Sequence, residues 1–446
     1  MTATEAPQPS VPSFPPGFLW GVSTSAHQIE GAVEGRGPSV WDVFGAEPGR
    51  IKDGSTAAVA CDHVARYRED VALVRDLGVD AYRFSVSWPR VLSPGGLDFY
   101  DRLVDELCAQ GVRPVPTLFH WDLPVGLEAA GGWLERDTAA RFAEYAATVA
   151  ARLGDRVDKW ITLNEPAEHT LLGHALGEHA PGRKLLFDAL PVAHHQLLAH
   201  GLAARALRAA GASDIGIANS HGPTWPASDD PADTAAADLY DVILNRLFSD
   251  PLLLGRYPEG FGELMPGDDV AADLKVISED TLDWYGVNFY QPTKVGAPGA
   301  RDVEFSGLTL PAELPFSVQE ITGYPVTDFG WPVVPDALTS LLTGLRDRYG
   351  DRLPPVVVTE NGCAYEGLDD RRRIDYLDGH LRALHRASEA GVDVRGYFVW
   401  SLMDNFEWAE GYTKRFGLVH VDFATQERTP KASYHWLRDA LRARRA

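Results

Sequence analysis

The chain alternates short β-rich apolar runs with longer helical patterns, and this alternation constrains its fold more than any other feature. The helical patterns include 63–77, 98–110, 138–153, 191–210 and 371–390. Such an order is typical of βα units and of a parallel sheet. The β-rich runs number eight, and they are 18–24, 81–88, 113–120, 157–165, 214–220, 281–290, 355–360 and 394–402.

Eight parallel strands separated by helices predict an α/β fold, a (β/α)8 TIM barrel with long βα loops. The runs are unevenly spaced, so a large open α/β sheet is the alternative. Residues 1–16 are Pro-rich and polar, and we expect a flexible tail there, followed by a single barrel domain over 17–446. The long loops 21–62 and 291–335 would follow strands one and six, at the barrel end that carries active sites.

Charge and composition exclude several classes of function. The 446 residues include 41 basic and 63 acidic side chains, a net charge of −22, so neither nucleic acid nor an anionic membrane is an expected partner. No basic start or apolar run indicates a secretory signal or a membrane helix. Three scattered cysteines, Cys61, Cys108 and Cys363, are too few for a disulfide framework or a zinc site. We therefore expect a cytoplasmic protein without a metal; its oligomeric state stays open.

Polar and aromatic side chains gather at the ends of the β-rich runs, which in a barrel meet at one rim. Glu165 ends run four and Glu360 ends run seven, and a turn residue follows each. Carboxylates and amides bind sugar hydroxyls, while a Trp face stacks on the apolar face of a pyranose ring. Other side chains at these ends are Gln28, Arg83, His120, Asn164, Asn288, Tyr290, Trp400, Glu407 and Trp408.

Two carboxyl groups facing each other across one pocket suit glycoside hydrolysis. One must be protonated to give a proton to the leaving oxygen, and the other must be ionised to attack the anomeric carbon. The permanent charge of Arg83 would keep one of them ionised. Alternatively, Glu165 and Glu360 only cap helices or bind Arg on the surface. The chain carries no phosphate-binding loop, H-E-x-x-H or G-x-S-x-G motif, so other common chemistries have little support.

At these residues the sequence resembles glycoside hydrolase family 1, the β-glucosidase family, from about Phe18 to about Trp436. The resemblance implies a (β/α)8 barrel, retention of anomeric configuration through a covalent glycosyl-enzyme, and no metal or organic cofactor. Its motifs are FLWGVSTSAHQIEG (18–31), HWDLP (120–124), TLNEP (162–166), TENG (359–362) and WSLMDNFEWAEGYTKRFGLVHVD (400–422).

The resemblance assigns catalytic roles at matching positions. Glu165 would be the acid/base and Glu360 the nucleophile. Arg83 and Tyr290 would bond to the nucleophile and keep it ionised, and Asn164 would bind the sugar 2-hydroxyl. We expect the two carboxyl groups to lie about 5–5.5 Å apart, the separation of a retaining enzyme.

The resemblance also implies a sugar site for a small-molecule β-glucoside or oligosaccharide. Glu407 would bind O4 and O6, and Trp408 would contact O3. Trp400 would be the stacking platform, and Trp331 would line the entrance for the leaving group. The remaining residues expected to bind the sugar are Gln28, His120 and Asn288.

Some features bear on which member of the family this is. Ala167 follows the acid/base motif where the family commonly has Trp, which predicts a roomier or differently shaped leaving-group site. A 6-phospho-β-glycosidase would usually carry Ser at Glu407, and a carboxylate there would repel a phosphate. A transglycosylase would use the same residues as a hydrolase. A non-catalytic sugar-binding protein would tend to lack one of the two glutamates, and both are present.

Overall fold

The core of the fold is a closed barrel of eight parallel strands in a computed structural model that describes residues 10–267, 269–305 and 308–445. Each strand pairs with the next along the chain, and the eighth pairs with the first. The predicted (β/α)8 barrel is confirmed, and the open sheet is excluded. The strands are β1 Leu19–Ser23, β2 Ala81–Ser85, β3 Arg113–Phe119, β4 Trp160–Asn164, β5 Ile215–Ser220, β6 Trp284–Asn288, β7 Val356–Asn361 and β8 Val394–Trp400.

A helix of 9 to 20 residues follows each barrel strand and packs on the outside of the sheet. In the helix over 137–153, for example, Phe142, Ala146 and Val149 are buried at spacings of three and four residues. None of the described helices is both long and apolar enough to cross a membrane. The helices are α1 His63–Leu77, α2 Gly96–Ala109, α3 Asp137–Leu153, α4 Leu190–Ala209, α5 Val270–Ser278, α6 Pro335–Tyr349, α7 Arg371–Glu389 and α8 Ala432–Arg445.

The inside of the barrel is filled by side chains, so it is a packed core and not a channel. Glycines make room for the largest of them. A Cβ on Gly216 would lie 2.4 Å from the ring of Trp284, and one on Gly21 would lie 2.1 Å from the ring of Phe398. Each strand contributes one residue to this inner cluster: Leu19, Ala81, Val115, Ile161, Ala218, Trp284, Val357 and Phe398.

Loops build upward from the C-terminal ends of the strands. The loops after β5 and β6 form a three-stranded sheet from Thr224–Pro226, Thr293–Gly296 and Ser317–Gln319. Two further helices, Pro231–Asp241 and Leu247–Leu254, lie between β5 and α5. Because the interior below is filled, these loops and strand ends leave room for a ligand only at the rim.

Part of the predicted N-terminal tail packs on the barrel. Phe14 is buried, and its ring stacks on that of Phe18 with 4.1 Å between centroids. Residues 1–9 of the predicted tail lie outside the described residues. The division into a tail and a single domain stays a prediction, although Phe14, on the tail side of the predicted boundary, is packed on the barrel.

Candidate active site

The two predicted glutamates lie at the C-terminal ends of β4 and β7. Glu165 directly follows β4, with a φ of 45°, a left-handed conformation that is uncommon and strained for a residue other than glycine. This turn sends the chain from the strand into the short helix Pro166–Glu168. Glu360 lies in β7 where the register against β6 shifts, an irregularity that re-aims side chains. Both glutamates are buried at the rim, with 6% and 3% of their surfaces exposed.

Two donors hold the carboxyl group of Glu360. Arg83 Nη1, from β2, donates to Oε1 at 2.6 Å, and the hydroxyl of Tyr290 donates to Oε2 at 2.7 Å. Burial raises the pKa of Glu360, and these two contacts oppose that rise. Burial also raises the pKa of Tyr290 well above its ordinary value, so the phenol keeps the proton that it donates. The two donors therefore stabilise the ionised form of Glu360 against the effect of burial.

The carboxyl group of Glu165 has a neutral donor instead. Asn288 Nδ2 donates to its Oε1 at 2.8 Å. Burial, followed by the negative charges of Glu360 and Glu168, raises the pKa of Glu165 well above its ordinary value. With an arginine at one carboxyl and an amide at the other, a proton shared by the pair belongs on Glu165.

A network of hydrogen bonds connects the two glutamates behind the rim. Asn164 Oδ1 accepts from Arg83 Nη2 at 2.5 Å and from Asn288 Nδ2 at 3.0 Å. Asn164 Nδ2 donates to His120 Nε2 at 3.0 Å, and burial lowers the pKa of His120 well below its ordinary value. The imidazole is therefore neutral, with its proton on Nδ1, which is buried and has no partner among the described residues.

A third carboxyl group, Glu407, lies at the far side of the rim from Glu165 in the loop after β8. Gln28 Nε2 donates to Glu407 Oε2 at 3.3 Å. Burial, followed by the negative charges of Glu360 and Glu410, raises the pKa of Glu407 to about 8. At neutral pH this side chain therefore offers a ligand both a donor and an acceptor.

Aromatic rings surround this part of the rim. The ring of His120 lies 5.8 Å from those of Trp400 and Trp408 and is nearly parallel to both. Trp408 has a φ of 49°, and its ring packs against Trp121 at 4.6 Å and Trp41 at 4.7 Å. The rings that face the rim are thus held by further aromatic residues, which fixes a flat apolar surface beside polar groups.

A single cavity of about 470 Å³ opens onto these groups. The predicted site residues all meet here, in two layers. Those lining the cavity are His120, Glu165, Tyr290, Trp331, Glu360, Trp400, Glu407 and Trp408. Those behind the wall, bonded to the first layer, are Gln28, Arg83, Asn164 and Asn288.

Comparison with known proteins shows the family to which this chain belongs. Residues 10–445 match the family model described as Glycosyl hydrolase family 1. The chain belongs to glycosyl hydrolase family 1. The resemblance noted in the sequence is confirmed, and the protein is a glycoside hydrolase that acts on O-glycosyl bonds.

Relatives within the family match over nearly their full length. The chain is 46% identical to thermostable β-glucosidase B of Thermobispora bispora, covering 96% of this chain and 91% of that protein. It is 44% identical to a β-glucosidase of Agrobacterium sp., covering 95% and 94%. The crystal structure of a psychrophilic β-glucosidase from Micrococcus antarcticus superposes with a TM-score of 0.91 at 44% identity, covering 97% and 98%.

Two positions that follow the acid/base Glu165 bear on the leaving-group side of this family 1 site, and the roomier site expected from Ala167 stays a prediction. Ala167, predicted to open the leaving-group site, is a buried core residue with 1% of its surface exposed and does not line the cavity. Glu168 and Leu171 line it instead. The sequence analysis did not identify Glu168. This carboxylate lies three residues after the predicted acid/base Glu165, and side chains three residues apart on a helix are neighbours, so its position could have been predicted. Trp331 lies in the loop after β6 and lines the cavity, with its ring stacked on that of Phe329 at 4.3 Å between centroids.

Proposed function

We propose that this family 1 enzyme is a retaining β-glucosidase that releases terminal non-reducing β-D-glucosyl residues from small β-glucosides or oligosaccharides. The observation that carries this function is the inequality of two buried carboxyl groups in one cavity. Glu360 is bound by a guanidinium and a phenol, and Glu165 by an amide. That is the division of labour between a nucleophile and a proton donor.

In the first step, Glu360 attacks the anomeric carbon while Glu165 acts as the acid. A bond forms between the anomeric carbon and a carboxylate oxygen of Glu360, and the bond to the aglycone oxygen breaks. The proton of Glu165 moves to that leaving oxygen. Arg83 and Tyr290 keep Glu360 ionised and oriented for attack, since each donates to one of its oxygens.

In the second step, Glu165 acts as the base. Esterification removes the negative charge of Glu360, so the pKa of Glu165 falls and the side chain ionises. Glu165 then takes a proton from water as the water oxygen attacks the anomeric carbon. The ester bond breaks, sugar leaves with its original configuration, and Glu360 regains its charge.

The other half of the cavity recognises the sugar. Glu407 binds O4 and O6, Trp408 contacts O3, and Trp400 stacks on the ring. His120, which lines the cavity, binds a further sugar hydroxyl. The groups completing this set are Gln28, Asn164 for the 2-hydroxyl, and Asn288.

Glucose without phosphate is the favoured sugar. The negative charges of Glu360 and Glu410 act on the Glu407 carboxyl, and they would act equally on a 6-phosphate bound beside it. Repulsion between like charges in a buried site opposes phosphate binding. We place the enzyme in the cytoplasm, where oligosaccharides released from cellulose are one candidate substrate class.

Hydrolysis of 4-nitrophenyl β-glycosides tests this function. We expect turnover of the glucoside, slower turnover of the galactoside and fucoside, and none of the 6-phosphoglucoside. Early proton NMR spectra should show β-glucose before the α anomer. Glu360→Ala should lose at least about 10⁴-fold in kcat. Initial release of α-glucose, or an active Glu360→Ala protein, would contradict the assignment.

A further inference from the structure

The cavity extends past Glu165 into a region with apolar walls. These walls come from three different loops, those after β4, β5 and β6. Ligand sites of this kind bind an apolar body and use few polar groups to orient it. The side chains that form the walls are Leu171, Leu172, Leu176, Leu244, Leu314 and Phe316.

One carboxyl group stands at the inner end of this apolar region. Glu168 lies three residues after Glu165, at the end of the short helix Pro166–Glu168, and it lines the cavity. Ser220, the last residue of β5, donates its hydroxyl to Glu168 Oε1 at 2.9 Å. In the described part of the chain Oε2 receives no hydrogen bond, and the side chain is only half-buried. Glu168 therefore has an acceptor available to a ligand beside the bond that is cleaved.

Carboxyl groups outnumber cations on the wall of the cavity. Among the described lining residues the cations are Arg50 and Lys52, and each already pairs with a carboxylate, Glu47 and Glu410 respectively. A ligand anion would thus find no unpaired cation among these lining residues. The lining carboxyl groups number six: Glu165, Glu168, Glu178, Glu360, Glu407 and Glu410.

We propose that Glu168 determines leaving-group specificity, by rejecting aglycones that carry a negative charge and by accepting a hydrogen bond from a hydroxyl or ammonium group on an apolar aglycone. This role rests on the proposed β-glucosidase function. The substrate class is therefore the β-glucosides of aryl or alkyl aglycones with a neutral or cationic polar group. Burial raises the pKa of Glu168, and the Ser220 hydroxyl opposes that rise by donating to the carboxylate.

The test compares three aryl β-glucosides at neutral pH in the wild-type enzyme and in Glu168→Gln. Their aglycones carry a 4-carboxyl, a 4-hydroxymethyl or a 4-aminomethyl group. Glu168→Gln keeps the size of the side chain and removes its charge. We expect the ratio of kcat/KM for the carboxyl over the hydroxymethyl substrate to rise about tenfold or more, and the ratio for the aminomethyl substrate to fall.

Ratios separate specificity from other effects of the substitution. A change in folding or in the acidity of Glu165 would move all three substrates together and leave both ratios unchanged, which would overturn the role of Glu168. Glu168→Asp keeps the charge and should keep the wild-type ratios. Hydrolysis of 4-nitrophenyl β-glucoside by wild-type protein is measured alongside. Its absence would refute the proposed hydrolase, independently of Glu168.

A matched control removes a different charge from the same cavity. Glu178 also lines the wall, and Glu178→Gln is the same chemical change as Glu168→Gln. We expect it to shift the carboxyl ratio several times less than Glu168→Gln does. An equal shift would show that the field of the whole cavity selects the aglycone, and the specific assignment to Glu168 would be wrong.

Discussion

Glu360 and Glu165 are the same residue type, buried in the same cavity, and their neighbours give them different chemistry. Arg83 and Tyr290 donate to the first, and Asn288 donates to the second. A guanidinium stabilises only the ionised carboxylate, whereas an amide can also bond to the protonated carboxyl group. The pH dependence of the enzyme should therefore be a bell, with an acid limb from ionisation of Glu360 and an alkaline limb from Glu165.

Tyr290→Phe tests the donor on the nucleophile. Loss of the hydroxyl destabilises ionised Glu360 and raises its pKa, so the acid limb of kcat/KM should move to higher pH. A hydrogen bond to a charged group is worth about 1.5–3 kcal/mol, so we expect kcat/KM to fall by about 10- to 150-fold. The control is Tyr412→Phe, whose hydroxyl bonds to the carbonyl of Thr56. An acid limb that stays in place would show that Tyr290 does not tune Glu360.

Glu165→Gln tests the proton donor through the leaving group. Alkyl glucosides depend on protonation of the departing oxygen and should lose about 10²- to 10⁴-fold in kcat/KM. A 2,4-dinitrophenyl glucoside leaves without help and should lose far less. The measurement is kcat/KM across glucosides of graded leaving-group acidity. A loss of the same size for every substrate would remove Glu165 from the acid role.

At the scale of elements, the side chains that fill the barrel interior confine the ligand cavity to the C-terminal ends of the strands. Gly216→Ala would place a Cβ 2.4 Å from Cε2 of the buried Trp284 ring. We expect overpacking to lower the free energy of unfolding by about 1–3 kcal/mol in denaturant titrations. Gly344, exposed within α6 with open space at its Cβ, is the control, and Gly344→Ala should raise it by about 0.5–1 kcal/mol. Equal effects at both positions would contradict this packing.

The elements with a clear period were predictable from sequence. All eight β-rich runs overlap a barrel strand, and α1 covers 63–77 as predicted, ended by Gly78 with a φ of 81°. The strands over 224–226 and 317–319 were not predicted. Each is only three residues long, so neither carries a period of its own. The first pairs with Thr293–Gly296 in another loop, and the second pairs with that same strand from farther along its own loop.

The residues of the site were predictable from the sequence. Which of them line the cavity and which lie behind its wall was not. Motifs at strand ends identified both glutamates and their partners. Whether a side chain faces the cavity or lies behind it depends on how loops from different strands pack together. Gln28 is fully buried behind Glu407, and Glu168 lines the cavity from the short helix that follows the left-handed turn at Glu165. Neither position can be predicted from the sequence around the residue.

At the scale of the whole molecule, the protein has a net charge of −22, so its overall field has the same sign as the ionised carboxylates of the cavity. This field opposes anionic substrates and acts over a distance that salt shortens. We expect kcat/KM for the 4-carboxyphenyl glucoside to rise severalfold between low and high ionic strength. The value for the 4-hydroxymethylphenyl glucoside should stay nearly constant. A parallel rise for both substrates would point to an effect of salt on the enzyme itself.

The measurement that tests the mechanism most directly is the intact mass of the protein after incubation with an activated 2-deoxy-2-fluoro-β-glucoside. The fluorine slows both steps, and the good leaving group restores only the first, so the glycosyl-enzyme accumulates. We predict one added fluoroglucosyl group, located by peptide digestion on Glu360. An adduct on another residue, or no adduct on protein that still hydrolyses 4-nitrophenyl β-glucoside, would contradict a double displacement through Glu360.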